Sequence, residues 1–139
     1  MKEELQIKEE IINRWIKKGQ SLIYEEYYDK WCQTVRESSS FIFHGQDIMI
    51  SLNIMYALNN KRDLNEVISI FKMLTSGSRL LETLVRNTVF TFSKRGIEFY
   101  EATSRSITKE TAKLLEEKRK ENELLERKSK KQIIKRFKF

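Results

Sequence analysis

Apolar side chains recur every three or four positions along most of this chain, with Lys, Glu and Asp filling many of the intervals. From Leu5 to Val35 the series Ile12, Trp15, Gly19, Ile23, Tyr27, Trp31 and Val35 keeps that spacing, which places these residues on one stripe of a helix. Gly19 falls on the stripe and admits two readings: a helix end with a new start near Ser21, or a continuous helix where another backbone comes close. The Lys17-Lys18 pair just before it favours the end, because cations are stabilised at a helix carboxyl terminus. Residues 36–47, RESSSFIFHGQD, read as a loop in which Phe41, Ile42 and Phe43 pack the connection against the body.

Ile48 to Leu58 is almost wholly apolar, broken by Ser51 and Asn53. Ile48, Ile50, Leu52, Ile54 and Tyr56 also alternate as in a strand, but no other run has clean period-two character to pair with it. The segment is therefore expected to be a central helix buried on several sides. After the polar turn Asn59 to Arg62, Asp63 and Glu66 have the form of a capping box. Leu64, Val67, Ile68, Phe71 and Leu74 then line one face of a helix that Thr75-Ser76-Gly77-Ser78 ends. Ser78 caps the next helix, whose buried face reads Leu81, Leu84, Val85, Thr88 and Phe92, and whose spacing continues through Gly96 to Phe99 and Thr103.

From Lys109 onward the chain is written in strong helix formers, with apolar positions reduced to Leu114, Leu115, Leu124, Leu125, Ile133, Ile134 and Phe137. Leu pairs ten residues apart do not make a strict heptad. A protruding helix that partly docks on its own body is therefore expected ahead of a two-stranded coiled coil or a frayed end. The fold expected from these patterns is all-α, an antiparallel bundle of four to five helices with a long basic C-terminal helix. The body is assigned to residues 1–106 and the arm to 107–139.

Charge sharpens that division. Residues 1–108 carry 15 basic and 14 acidic side chains, whereas residues 109–139 carry 12 and 6, so six of the seven net positive charges lie on the terminal segment. Among them, Arg127, Lys128, Lys130, Lys131, Lys135, Arg136 and Lys138 follow one another with no carboxylate between. Such a run can neutralise phosphates of a nucleic acid without choosing a base sequence, or it can be a solvated, solubilising end. With Ile133, Ile134, Phe137 and Phe139 interleaved, it also has the form of a basic amphipathic segment for a partner groove, while contact with a membrane surface is not favoured. The absence of a long apolar run excludes an integral membrane segment, the first fifteen residues lack the centre of a secretion signal, and the single Cys32 agrees with a reducing compartment, so a cytoplasmic location is expected.

Chemistry has little raw material here. His44 is the only histidine, so a multi-histidine metal site is ruled out, and Cys32 and His44 have no pattern that brings them together as a nucleophile and its base. No catalytic, cofactor-binding or metal-binding residue is assigned, and no enzyme activity is expected. The Ser76–Arg79 turn lacks the extended glycine loop of a nucleotide site, and a helix-turn-helix reading of residues 64–94 offers only Asn87 as a good base reader. In the segment YEEYYDKW, Tyr24, Tyr27, Tyr28 and Trp31 cannot all share one narrow stripe, so some face a second surface, either the later helices or a partner chain; packing within the chain is expected ahead of a protein interface. The role expected is a small interaction or regulatory module, with a protein partner or a homo-oligomer. Non-specific nucleic-acid binding and structural oligomerisation are the alternatives.

Overall fold

The computed structural model describes the backbone of residues 2–38 and 45–137 and the side chains of residues 6, 8–37 and 45–128. The expected Phe41–Phe43 packing, His44, Lys138 and the side chains of Lys130, Lys131, Lys135 and Arg136 lie outside the described residues. The described chain contains seven helices: α1 Lys2–Gly19, α2 Glu25–Ser38, α3 Gln46–Asn59, α4 Leu64–Leu74, α5 Arg79–Phe92, α6 Gly96–Thr103 and α7 Lys109–Phe137. It forms two compact units, Met1–Thr103 and Ser104–Phe139.

Seven helices replace the four to five expected, with one break that the Lys17-Lys18 pair signals and one that hydrophobic spacing does not register. The first is at Gly19, where the amides of Leu22 and Ile23 donate to the Gly19 carbonyl at 3.0 and 3.1 Å and turn the chain before α2. The favoured reading of Gly19 holds, because the helix ends there, and the continuous helix does not; a Cβ at this position would overlap Cζ3 and Cη2 of the buried Trp31 ring. What approaches the glycine is a side chain and not a backbone.

The second break, Ser93 to Arg95, separates α5 from α6 even though Phe92, Gly96, Phe99 and Thr103 keep helical spacing. Ser93 has extended dihedrals (φ −87°, ψ 147°) and forms an isolated antiparallel bridge with Ile23. Gly96 lets the chain fold back on itself: a Cβ there would overlap the Val89 carbonyl oxygen and lie 2.8 Å from Phe90 Cα. A repeat of buried positions is preserved across a corner as well as along an axis, which is why the spacing alone overruns the break.

Caps fix the other boundaries. The Asp63 carboxylate accepts from the Asn65 amide at 2.8 Å and starts α4, the Ser78 hydroxyl accepts from the Leu81 amide at 3.1 Å and starts α5, and the Thr108 hydroxyl accepts from the Thr111 amide at 3.2 Å and starts α7. Glu66 pairs with Arg62 at 3.6 Å across an exposed surface. Between α4 and α5, Gly77 takes the positive φ of 84° that the tight turn demands.

In the first unit α3 is the hub, packed against α1, α4 and α5, while α6 packs on α5 and α4 and α2 on α1 and α5. Ile54, Met55 and Leu58 of α3 are fully enclosed, as are Val67, Phe71, Val85, Val89 and Phe99 around them. The rings of Phe71 and Phe99 meet edge to face at 5.0 Å. In the second unit the least accessible of the described side chains of α7 are Thr111, Leu115, Lys118, Asn122 and Leu125, spaced alternately by four and three. Leu114 and Leu124 are exposed. One member of each leucine pair thus shares a heptad-like line with polar residues, a register that is invisible when only leucines are counted.

Candidate binding cleft

The helix that is apolar nearly all round leaves one strip uncovered. Met49, Asn53 and Tyr56 of α3 lie at intervals of four and three, on one face, and all three are exposed. Met49 retains 53% and Tyr56 62% of its accessible surface, although eight other residues of the same helix are buried. Beside this strip is a cavity of about 380 Å³ between α3, the second half of α1 and the turn that follows it. Trp15, Leu22 and Leu52 give it an apolar floor, and Lys18, Ser21 and Asn53 add polar groups at its edge.

The walls are set by local structure. Gly45, in the left-handed region at φ 85°, immediately precedes α3, and a Cβ there would overlap the Trp15 ring, so the indole is seated against the start of α3. The carboxyl end of α1 is closed by the Gln20 amide on the Lys17 carbonyl at 3.3 Å, by the Ser21 hydroxyl on Lys18 at 3.4 Å and by the Tyr28 hydroxyl on Ile16 at 2.7 Å. Burial, reinforced by the neighbouring Cys32 thiol, raises the pKa of Tyr28. At the start of α3, burial likewise pushes the Asp47 carboxyl upward, against two backbone hydrogen bonds that act the other way, and its Oδ1 has no partner among the described residues.

Of the aromatic candidates in α2 and just before it, Tyr24 and Trp31 are buried, and Tyr27 and Tyr28 are half-buried against the core. Tyr24 meets Tyr27 edge to face at 5.9 Å, Tyr27 meets Phe92 at 6.5 Å and Tyr28 stacks on Trp31 at 6.2 Å, so these rings pack chiefly with one another and with the interior. Of the basic arm, Arg127 and Lys128 have described side chains, and both are exposed. Cys32 is half-buried in α2. In the α4–α5 segment Arg86 is committed internally: its Nη2 meets Glu82 at 2.6 Å and donates to the Thr103 carbonyl at 3.0 Å, which takes it out of a nucleic-acid-reading surface.

Sequence reasoning passed over Met49, Asn53 and Tyr56 because a continuous apolar run carries no mark of which position stays outside. The available signal was Asn53, a polar residue that recurs at helical spacing with Tyr56 and Met49. A second set of exposed apolar side chains, Met73, Leu74 and Leu80, flanks the α4–α5 turn. Among the described residues no group of three His, Cys, Asp or Glu could hold a metal ion, and no described helix is long and apolar enough to cross a membrane. Comparison with protein-family models, with curated proteins and with solved structures gave no match.

Proposed function

We propose that the helical body is a protein-interaction module whose α1–α3 cleft receives an apolar anchor from another protein. The observation that carries this reading is the pair of large side chains, Met49 and Tyr56, standing in solvent on the most buried helix of the fold and bordering a cavity. Tyr, Trp and Met are the residues that protein interfaces favour, since each presents broad apolar area at modest conformational cost or adapts its shape to a partner. A photo-cross-linking amino acid in place of Tyr56 tests it in living cells, with the same residue in place of the exposed Thr83 on α5 as control. A discrete protein adduct from position 56 and none from 83 is expected. Absence of an adduct at 56, or the same adduct from both positions, overturns the reading.

The second reading is electrostatic contact with nucleic acid through the C-terminal arm, favoured by seven Lys or Arg and no Asp or Glu in residues 127–139. Neutralising several phosphates releases counterions, so such binding weakens steeply with salt. A chain that stops at Glu126 is then expected to lose salt-sensitive retention on DNA and RNA while its helical circular-dichroism signal stays cooperative on melting. Equal retention of both chains removes this reading.

A further inference from the structure

We propose that the occupant of the α1–α3 cleft is an amphipathic helix flanked by carboxylates, an inference that rests on the interaction reading above and specifies its partner chemistry. Residues 15–22 and 49–56, which span the lining side chains, contain Lys17 and Lys18 and no Asp or Glu, and Arg14 directly precedes them. All three cations are exposed, Lys18 lines the cavity, and Arg14 lies one turn before it on the same face of α1. Among the described residues none of the three is held in an ion pair.

A helix carboxyl terminus ordinarily opposes an approaching anion, because its last carbonyls carry partial negative charge. Here those carbonyls already accept hydrogen bonds, Ile16 from Tyr28, Lys17 from Gln20, Lys18 from Ser21, and Gly19 from Leu22 and Ile23. The cationic side chains therefore dominate the rim. Their field reaches a partner's flank within roughly one screening length, about 8 Å at physiological ionic strength.

The shape selects a helix over an extended peptide. Both walls are α-helices whose backbone groups are bonded internally, so an extended segment finds no sheet edge to extend and gains no main-chain ladder. The exposed strip from Met49 to Tyr56 covers about two helical turns, or roughly 10 Å, the span over which an incoming helix presents residues i, i+3 or i+4, and i+7. Apolar anchors enter over Leu22 and Leu52, and the partner's carboxylates meet Lys18 and Arg14 at the edge.

Phage-displayed helices of 18 residues, with apolar residues fixed at i, i+3 and i+7 and the flanks randomised among Glu, Lys, Gln and Ser, are selected on the immobilised full chain. Because the whole chain is basic, enrichment of Glu counts only among clones that the Met49→Ala/Tyr56→Ala protein releases, a variant that keeps every charge. Those clones are expected to carry Glu in excess of Lys and to bind about tenfold more weakly to an Arg14→Glu/Lys18→Glu protein, in the range that two reversed rim charges supply. Both variants alter exposed side chains, and a cooperative thermal melt confirms that each is folded. Clones with no charge bias, clones rich in Lys, or no clone that depends on Met49 and Tyr56 overturns the proposal. A protein adduct from position 56 whose cross-linked segment is neutral or basic ends this inference and leaves the interaction reading standing; no adduct ends both.

Discussion

The corner between α5 and α6 and the cleft between α1 and α3 are built from similar residues and finished differently. At the corner Phe99 is fully enclosed against Phe71, the Arg86 guanidinium is shared between Glu82 and both oxygens of Thr103, and the Arg95 guanidinium donates to the Leu58 carbonyl at 3.2 Å. Gly96 allows the backbones there to touch. At the cleft, a Trp, a Met and a Tyr surround an opening that nothing in the described chain fills. Packing accounts for every large side chain at the first place and leaves Met49 and Tyr56 unexplained at the second, which is why a role in binding is assigned to the cleft and none to the corner.

The sharpest way to break that contrast is to truncate on each side of it. Phe99→Ala removes a fully enclosed ring whose space cannot collapse between α4 and α5, and it is expected to cost about 3–5 kcal/mol in urea unfolding. A loss under about 1 kcal/mol means that the corner is loosely packed and the contrast is false. The wall of the cleft gives an intermediate case. Tyr28→Phe strips the donor from the half-buried Ile16 carbonyl at 2.7 Å and is expected to cost about 1 kcal/mol, measured by the same unfolding midpoint. If the stability is unchanged, the end of α1 is held by its turn alone.

Much of this fold was legible because its signals are local. Asp63 and Ser78 cap the helices they were expected to cap, Gly77 makes the turn between them, and the central apolar run is helical. The count of helices was not legible, because Gly96 and Phe99 stay in register with Phe92 across a corner that is made by contact between Gly96 and the backbone of Val89 and Phe90. Nor was the site. Tyr24 and Trp31 announce themselves as an aromatic cluster and are buried, whereas Met49 and Tyr56 hide in an apolar run and are exposed. Composition reports how much apolar surface a helix carries; only the placement of α1, α4 and α5 around α3 decides which strip of it is left over.

The smallest expected effect is therefore the most discriminating. Met49→Ala/Tyr56→Ala deletes more side chain than Phe99→Ala, and by volume alone it should be the more damaging change. Burial reverses the order: both residues are more than half exposed in the folded chain, so their removal gives up little transfer free energy and leaves no enclosed void. Helix propensity works in the same direction, since Ala replaces residues that favour a helix less. The double variant is expected to lie within about 0.5 kcal/mol of the parent in urea unfolding, and under the proposal it loses its partner all the same. A loss above about 2 kcal/mol shows instead that Met49 and Tyr56 close over Trp15 and hold α1 on α3. In that case the strip belongs to the core, and the difference between the corner and the cleft disappears.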